Sequence, residues 1–139
     1  MTGVQTCALP IYTGTLVGAA WKPGRFGNGV EFDGVNDWVT VGGSTDLDVT
    51  ATLSISAWVY PTAAAGSRTV LFKEASGAAG THSYALYSTS GAQGPGGHVL
   101  LASQADAHAA APLVLNRWTH LATTYDEMQI GRASCRERV

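Results

Sequence analysis

Between Leu53 and Tyr60 the chain alternates without a break: Leu53, Ile55, Ala57 and Val59 are aliphatic, while Ser54, Ser56, Trp58 and Tyr60 are hydroxylic or aromatic. A period of two puts successive side chains on opposite faces of an extended strand, so one face is built for burial and the other is not. Shorter runs of the same kind occur at Val30 to Phe32, Trp38 to Val41, Thr69 to Lys73, Tyr84 to Ser88, Val99 to Ser103 and Trp118 to Tyr125. Segments rich in Gly, Asp, Asn, Ser and Pro separate them. Several short strands at such intervals predict an all-β sandwich or barrel.

Helical signal is thin. Ala105 to Ala111 has helix-forming composition, but Pro112 follows at once and no apolar stripe of helical spacing runs through it. It reads as a loop with at most one helical turn. GAQGPGG, Gly91 to Gly97, reads as a flexible connection, because its glycines lack the lysine and hydroxyl of a phosphate-binding loop.

Both ends of the sequence stand apart from the rest. Met1 to Ile11 and Ile130 to Val139 resemble translated sequencing-adapter oligonucleotides, one at each end and both in frame. Residues 1–12 and 129–139 are therefore expected to be artefactual and to carry no fold information. The interior, residues 13–128, spans 116 positions, enough for one domain and not comfortably for two. Cys7 and Cys135 are the only cysteines and both fall in the set-aside ends, which leaves no disulfide framework or thiolate metal site in the interior.

The interior holds five basic and nine acidic residues, a net charge of −4. Affinity for nucleic acid rests on clustered Lys and Arg, so this balance argues against a nucleic-acid partner. No apolar run approaches the roughly 20 residues of a membrane span, so membrane insertion is not expected.

Three segments in order, GRFGNGVEFDGVNDWVTV (Gly24 to Val41), LSISAWVYPT (Leu53 to Thr62) and NRWTHLATTYD (Asn116 to Asp126), resemble the laminin G-like branch of the concanavalin A-like jelly rolls. Gly24, Phe26, Gly27, Phe32, Asp33, Gly34, Asp37, Trp38 and Val39 fill that group's GxFGxxxxFDGxxDyV opening. The resemblance implies an antiparallel two-sheet jelly-roll sandwich. Toward its C-terminal side the family continues with strands carrying an L-Y-x-[ND]-G type hairpin, whereas here the adapter-like segment follows. The sandwich is thus expected to be incomplete, with unpaired strand edges that would leave the polypeptide marginal or aggregation-prone. The same resemblance implies a non-catalytic binding or adhesion module for carbohydrate or a cell-surface ligand, often calcium-assisted. It would be extracellular or at the cell surface, among the neighbouring domains of a larger protein.

Three constellations could carry chemistry. Asp33, Asn36 and Asp37 in FDGVND could offer hard oxygen ligands to Ca²⁺, which takes about six to eight of them. The competing reading is a turn in which Asp and Asn side chains bond their own backbone and Gly34 takes a positive φ. Glu31 and Asp33, two apart on a strand, place carboxylates on one face with Cα atoms roughly 6.5–7 Å apart. Retaining glycosidases use a carboxylate pair about 5–5.5 Å apart. The E-x-D-x-E pattern of laminarinase-type enzymes in the superfold would require an acid where Val35 stands, so these two are expected to form a strand end and turn.

The third constellation is aromatic. Trp58, Tyr60, Tyr84, Tyr87, Trp118 and Tyr125 could line a sheet face as a platform for sugar rings. Burial between the sheets is the more ordinary fate for such rings, and Trp38, following the turn, is the one expected to be partly exposed. His82, His98, His108 and His120 show no H-x-x-x-H zinc spacing, and no G-x-S-x-G marks a nucleophile elbow. Each histidine reads as a surface or loop residue. A glycoside hydrolase or lyase of the same superfold and a purely structural accessory sandwich are the alternative functions, since fold does not fix activity.

Overall fold

The computed structural model describes residues 12–75, 82–91, 93–100, 104–126 and 134–135. They fall into two compact units that divide after Leu47. All the sheet pairings are antiparallel, and among the described residues no helix is long and apolar enough to cross a membrane.

The first unit is built from two strand pairs. β1 (Gly14–Val17) pairs with β4 (Trp38–Val41), setting Leu16 opposite Val39. β2 (Ala20–Pro23) pairs with β3 (Asn28–Glu31), and the Gly24 amide donates to the Gly27 carbonyl at 2.7 Å to close the connection. Gly27 sits at φ +74°, a conformation that costs a side-chain-bearing residue about 1 kcal/mol or more. A single 3₁₀ turn, Thr45–Leu47, follows, and Tyr12 Oη donates to Asp46 Oδ2 at 2.7 Å. Neither β1 nor β2 was visible as a period-two run, because GTLV is short and AWKP carries a lysine and a proline.

The second unit is a sandwich of two sheets. One sheet has the order β11-β10-β5, from β5 (Thr52–Val59), β10 (Thr119–Asp126) and β11 (Ser134–Cys135). The other is a meander, β6 (Arg68–Glu74), β7 (His82–Thr89), β8 (Gly96–Leu100) and β9 (Gln104–His108), each strand beside its sequence neighbour. The alternation from Leu53 to Tyr60 is realised here. Ile55 of β5 and Leu121 of β10 face Tyr84, Leu86 and Val99 of the meander and form one core. Leu53, Ala57, Val59, Val70, Leu113 and Tyr125 pack around them. Ser54 and Ser56 lie exposed on the opposite face.

The sheets meet most closely where β8 passes β10. A Cβ built on Gly97 would collide with Thr123 Oγ1 and fall 2.6 Å from Thr123 Cβ, so only glycine permits this separation. Burial pushes the Tyr84 phenol above its ordinary value of 10.0. The stabilisation this represents is present below pH 10 and is lost as pH rises through the raised value. At the edge of the meander Lys73 Nζ lies 2.8 Å from Asp48 Oδ1, which holds the ammonium above its ordinary value.

Two readings of local structure are corrected. Gln104–His108, inside the stretch read as a loop with at most one helical turn, is strand β9. Ala105 and Ala107 alternate with Gln104, Asp106 and His108, and pairing with β8 overrides the helical preference of isolated alanines. The glycines at the end of GAQGPGG are not a flexible connection either. Gly94, Pro95, Gly96 and Gly97 are buried, with Gly96 and Gly97 opening β8. The aromatic set also divides: Tyr84 joins the core and Tyr125 packs on it. Trp58, Tyr60 and Trp118 instead belong to the other side of the β5–β10 sheet, where Trp58 packs on His120 and Tyr60 on Trp118.

Candidate functional site

The face of the meander that points away from the β5–β10 sheet carries a connected polar cluster. Tyr84, Leu86 and Val99 point into the core, so the alternate positions Ala85, Tyr87, Gly96 and His98 share the reverse face. The β8–β9 register sets Asp106 beside His98 and His108 beside Gly96. The result is a side-chain chain that runs from β9 across β8 to the turn after β7.

It begins at Gln104, whose Nε2 donates to Asp106 Oδ2 at 2.6 Å. Asp106 Oδ1 lies 2.8 Å from His98 Nδ1. A carboxylate only accepts, so Nδ1 carries a proton, and in the neutral ring Nε2 is an acceptor. Ser90 Oγ lies 3.4 Å from that Nε2, placed to donate to it while the ring is neutral. The His98 side chain is 15 % exposed and the Asp106 side chain 32 %, which keeps the pair partly shielded from water.

Rings hold the imidazole from the sides. Tyr87 meets His98 edge-on with centroids 5.0 Å apart, and His108 does the same from the next strand at 4.9 Å. The His108 ring rests where Gly96 lacks a side chain: a Cβ there would collide with His108 Nδ1 and fall 2.8 Å from the Ala107 carbonyl oxygen. His108 Nδ1 is buried and has no hydrogen-bond partner among the described residues. Buried polar atoms without partners are uncommon. Ser90 is fixed by a tight turn, in which its amide and carbonyl bond Gln93 at 3.4 and 3.0 Å across Gly91 at φ +62°.

This cluster was missed when the histidines were read one at a time. Ser90, His98 and Asp106 are eight residues apart from one another in turn, and only strand register makes them neighbours. His98 is a half-buried residue within strand β8, not a surface or loop one, and His108 is half-buried in β9. His120 sits against Trp58 in β10, and the side chain of His82 lies outside the described residues.

The FDGVND segment folds as a side-chain-closed turn. Asp33 Oδ1 accepts from the amides of Val35 at 2.8 Å and Asn36 at 3.3 Å, while Asp37 Oδ2 accepts from the Asp33 amide at 2.8 Å. Gly34 takes φ +77° and Val35 is 85 % exposed at the tip. One oxygen of each carboxylate is thus occupied by backbone N–H groups. Among the described residues no three His, Cys, Asp or Glu side chains converge as metal ligands. By itself the turn does not fit a Ca²⁺ site, which requires about six to eight oxygens.

Asp33→Ala is expected to cost about 1 kcal/mol by freeing two turn amides. Denaturant titration should show the same loss in EDTA and in millimolar Ca²⁺. A loss seen only with Ca²⁺ would instead make Asp33, Asn36 and Asp37 metal ligands. Glu31 and Asp33 do not act as a pair: Glu31 Oε1 lies 3.9 Å from Lys22 Nζ across the β2–β3 ribbon, while Asp33 serves the turn. Trp38, expected to be partly exposed, is 51 % exposed.

An all-β chain of antiparallel sheets, with a two-layer core and a polar cluster on the reverse of one sheet, defines the class as a β-sandwich domain. Residues 33–134 match the laminin G family described as the concanavalin A-like lectin/glucanases superfamily. The chain belongs to that superfamily, in its laminin G-like branch. No curated protein and no solved structure matches it.

Proposed function

We propose that this domain is a non-catalytic recognition module that binds carbohydrate or another cell-surface ligand within a larger extracellular protein. The observation that supports the reading is the Gln104–Asp106–His98–Ser90 chain of hydrogen bonds, held between the Tyr87 and His108 rings on a four-stranded sheet. Hydroxyl, amide and imidazole groups in fixed positions beside aromatic rings suit ligands that offer hydroxyls and apolar C–H faces. Rigid strands hold such groups with little ordering entropy to lose on binding.

The candidate acid pair favours recognition over turnover, because Asp33 is engaged by backbone amides and Glu31 lies beside a lysine. The full chain should bind selected glycans in an array screen run at pH 5.5 and pH 7.5, and should release no reducing ends from them. Release of reducing ends would make the domain a hydrolase or lyase. Binding of nothing at either pH would make it an accessory sandwich.

A further inference from the structure

In the cluster on the meander the His98 imidazole holds the Asp106 carboxylate, and the His108 ring packs edge-on against it. Around His98, β9 contributes Asp106, His108 and Gln104, and β7 contributes Tyr87, with Ser90 at the turn that follows it. From β6 the register brings Phe72 opposite Ala85, in the same row as His98, and this position is uncharged. Arg68 of β6 stands opposite Thr89, near the Ser90 end, with its Nε donating to the Ala65 carbonyl at 3.0 Å. Lys73 is engaged by Asp48.

Protonation changes what this cluster shows to a ligand. With His98 neutral, Nδ1–H is committed to Asp106 and Nε2 accepts the Ser90 hydroxyl proton, so Ser90 Oγ offers only lone pairs outward. With His98 protonated, Nε2–H must find an acceptor, and Ser90 Oγ is the atom beside it. The hydroxyl then turns its own proton outward and becomes a donor. The charge on the His98–Asp106 pair rises from −1 to zero.

We propose that Ser90 and His98 form a proton-gated subsite for the anionic group, carboxylate or sulfate, of an acidic glycan. This rests on the recognition reading above and adds the ligand class and its regulation. A carboxylate or sulfate accepts hydrogen bonds and donates none, so it is refused by the neutral cluster on both polarity and charge. It is accepted by the protonated one, whose cationic end lies at Ser90, on the far side of the imidazole from Asp106. A neutral sugar hydroxyl donates as well as accepts and so feels the switch weakly. Imidazole is the side chain whose ordinary titration falls between about pH 5 and 8.

The test is calorimetric titration of the full chain, at pH 5.5 and pH 7.5, with three oligosaccharides: one bearing uronate carboxylates, one bearing sulfates, and one neutral. If only the protonated form binds, affinity for a gated ligand falls about tenfold for each pH unit above the imidazole's titration. At least one anionic probe should bind about tenfold or more tightly at pH 5.5, and the two probes separate carboxylate from sulfate. His98→Gln should remove the pH dependence. Ser90→Ala, which deletes one oxygen and leaves the His98–Asp106 pair in place, should weaken anionic binding at pH 5.5 and keep the protein folded if the histidine variant does not. Binding with a flat pH profile, or a profile unchanged in both variants, overturns the gate and leaves the recognition reading standing. Failure of all three probes, with no glycan retained on the array, overturns both.

Discussion

Leu121→Ala is expected to lower unfolding stability by about 3–4 kcal/mol, within the range of about 2–5 for deleting a buried leucine side chain. Leu121 is 1 % exposed, sits at the middle of β10 opposite Ala57, and shares the core with residues from both sheets. Truncation would remove apolar contacts to each layer at once, and paired strands on either side would resist collapse into the space. Domains of this size are stable by about 5–15 kcal/mol, so the variant would lose a large part of what holds it folded. Urea titration should report a lower midpoint with an unchanged slope, and Val114→Ala, at an exposed position, should shift the same curve by less than about 0.5 kcal/mol. A loss below about 1 kcal/mol at Leu121 would mean that the two sheets do not share one core.

That core was legible because burial imposes period two and nothing at these positions competes with it. Leu53 to Val59 and Leu121 to Tyr125 each present one aliphatic or half-aliphatic face, and strand pairing follows from it. The FDGVND turn was equally legible, since the Asp33 and Asp37 carboxylates satisfy their own turn's amides and Gly34 takes the positive φ. What stayed hidden depended on register. Gln-Ala-Asp-Ala-His alternates perfectly, but alanine is a weak marker of a buried face, and its helical preference drew the reading the other way. The paired glycines at 96 and 97 look alike in sequence and do opposite things: the absent side chain of Gly96 seats the His108 ring, and that of Gly97 admits Thr123 from the facing sheet. Ser90, His98 and Asp106 carry no shared motif. Their one signal was the equal spacing along a meander whose strands and turns each take about eight residues, visible only once β9 is recognised as a strand.

The closeness of the two sheets at Gly97 makes Gly97→Ala the second large effect. The added methyl group would overlap the Thr123 side chain and, by 2.6 Å approaches to both Cβ and Cγ2, could not be relieved by rotating the hydroxyl alone. Thr123 is buried, so its side chain has no free space to enter, and β8 and β10 would have to move apart against their own ladders. Overpacking of this kind costs about 1–3 kcal/mol, and a contact with a Cβ atom belongs at the upper end. A double-mutant cycle isolates the cause. Thr123→Gly removes the three atoms nearest to the new methyl group and by itself should cost about 1 kcal/mol or more through lost packing and greater unfolded-state freedom. The double variant should then be more stable than the sum of the two losses predicts, with a favourable coupling of about 1 kcal/mol or more. Strict additivity would show that the sheets do not approach at this pair. The main effect of alanine at position 97 would then come from somewhere other than the contact between layers.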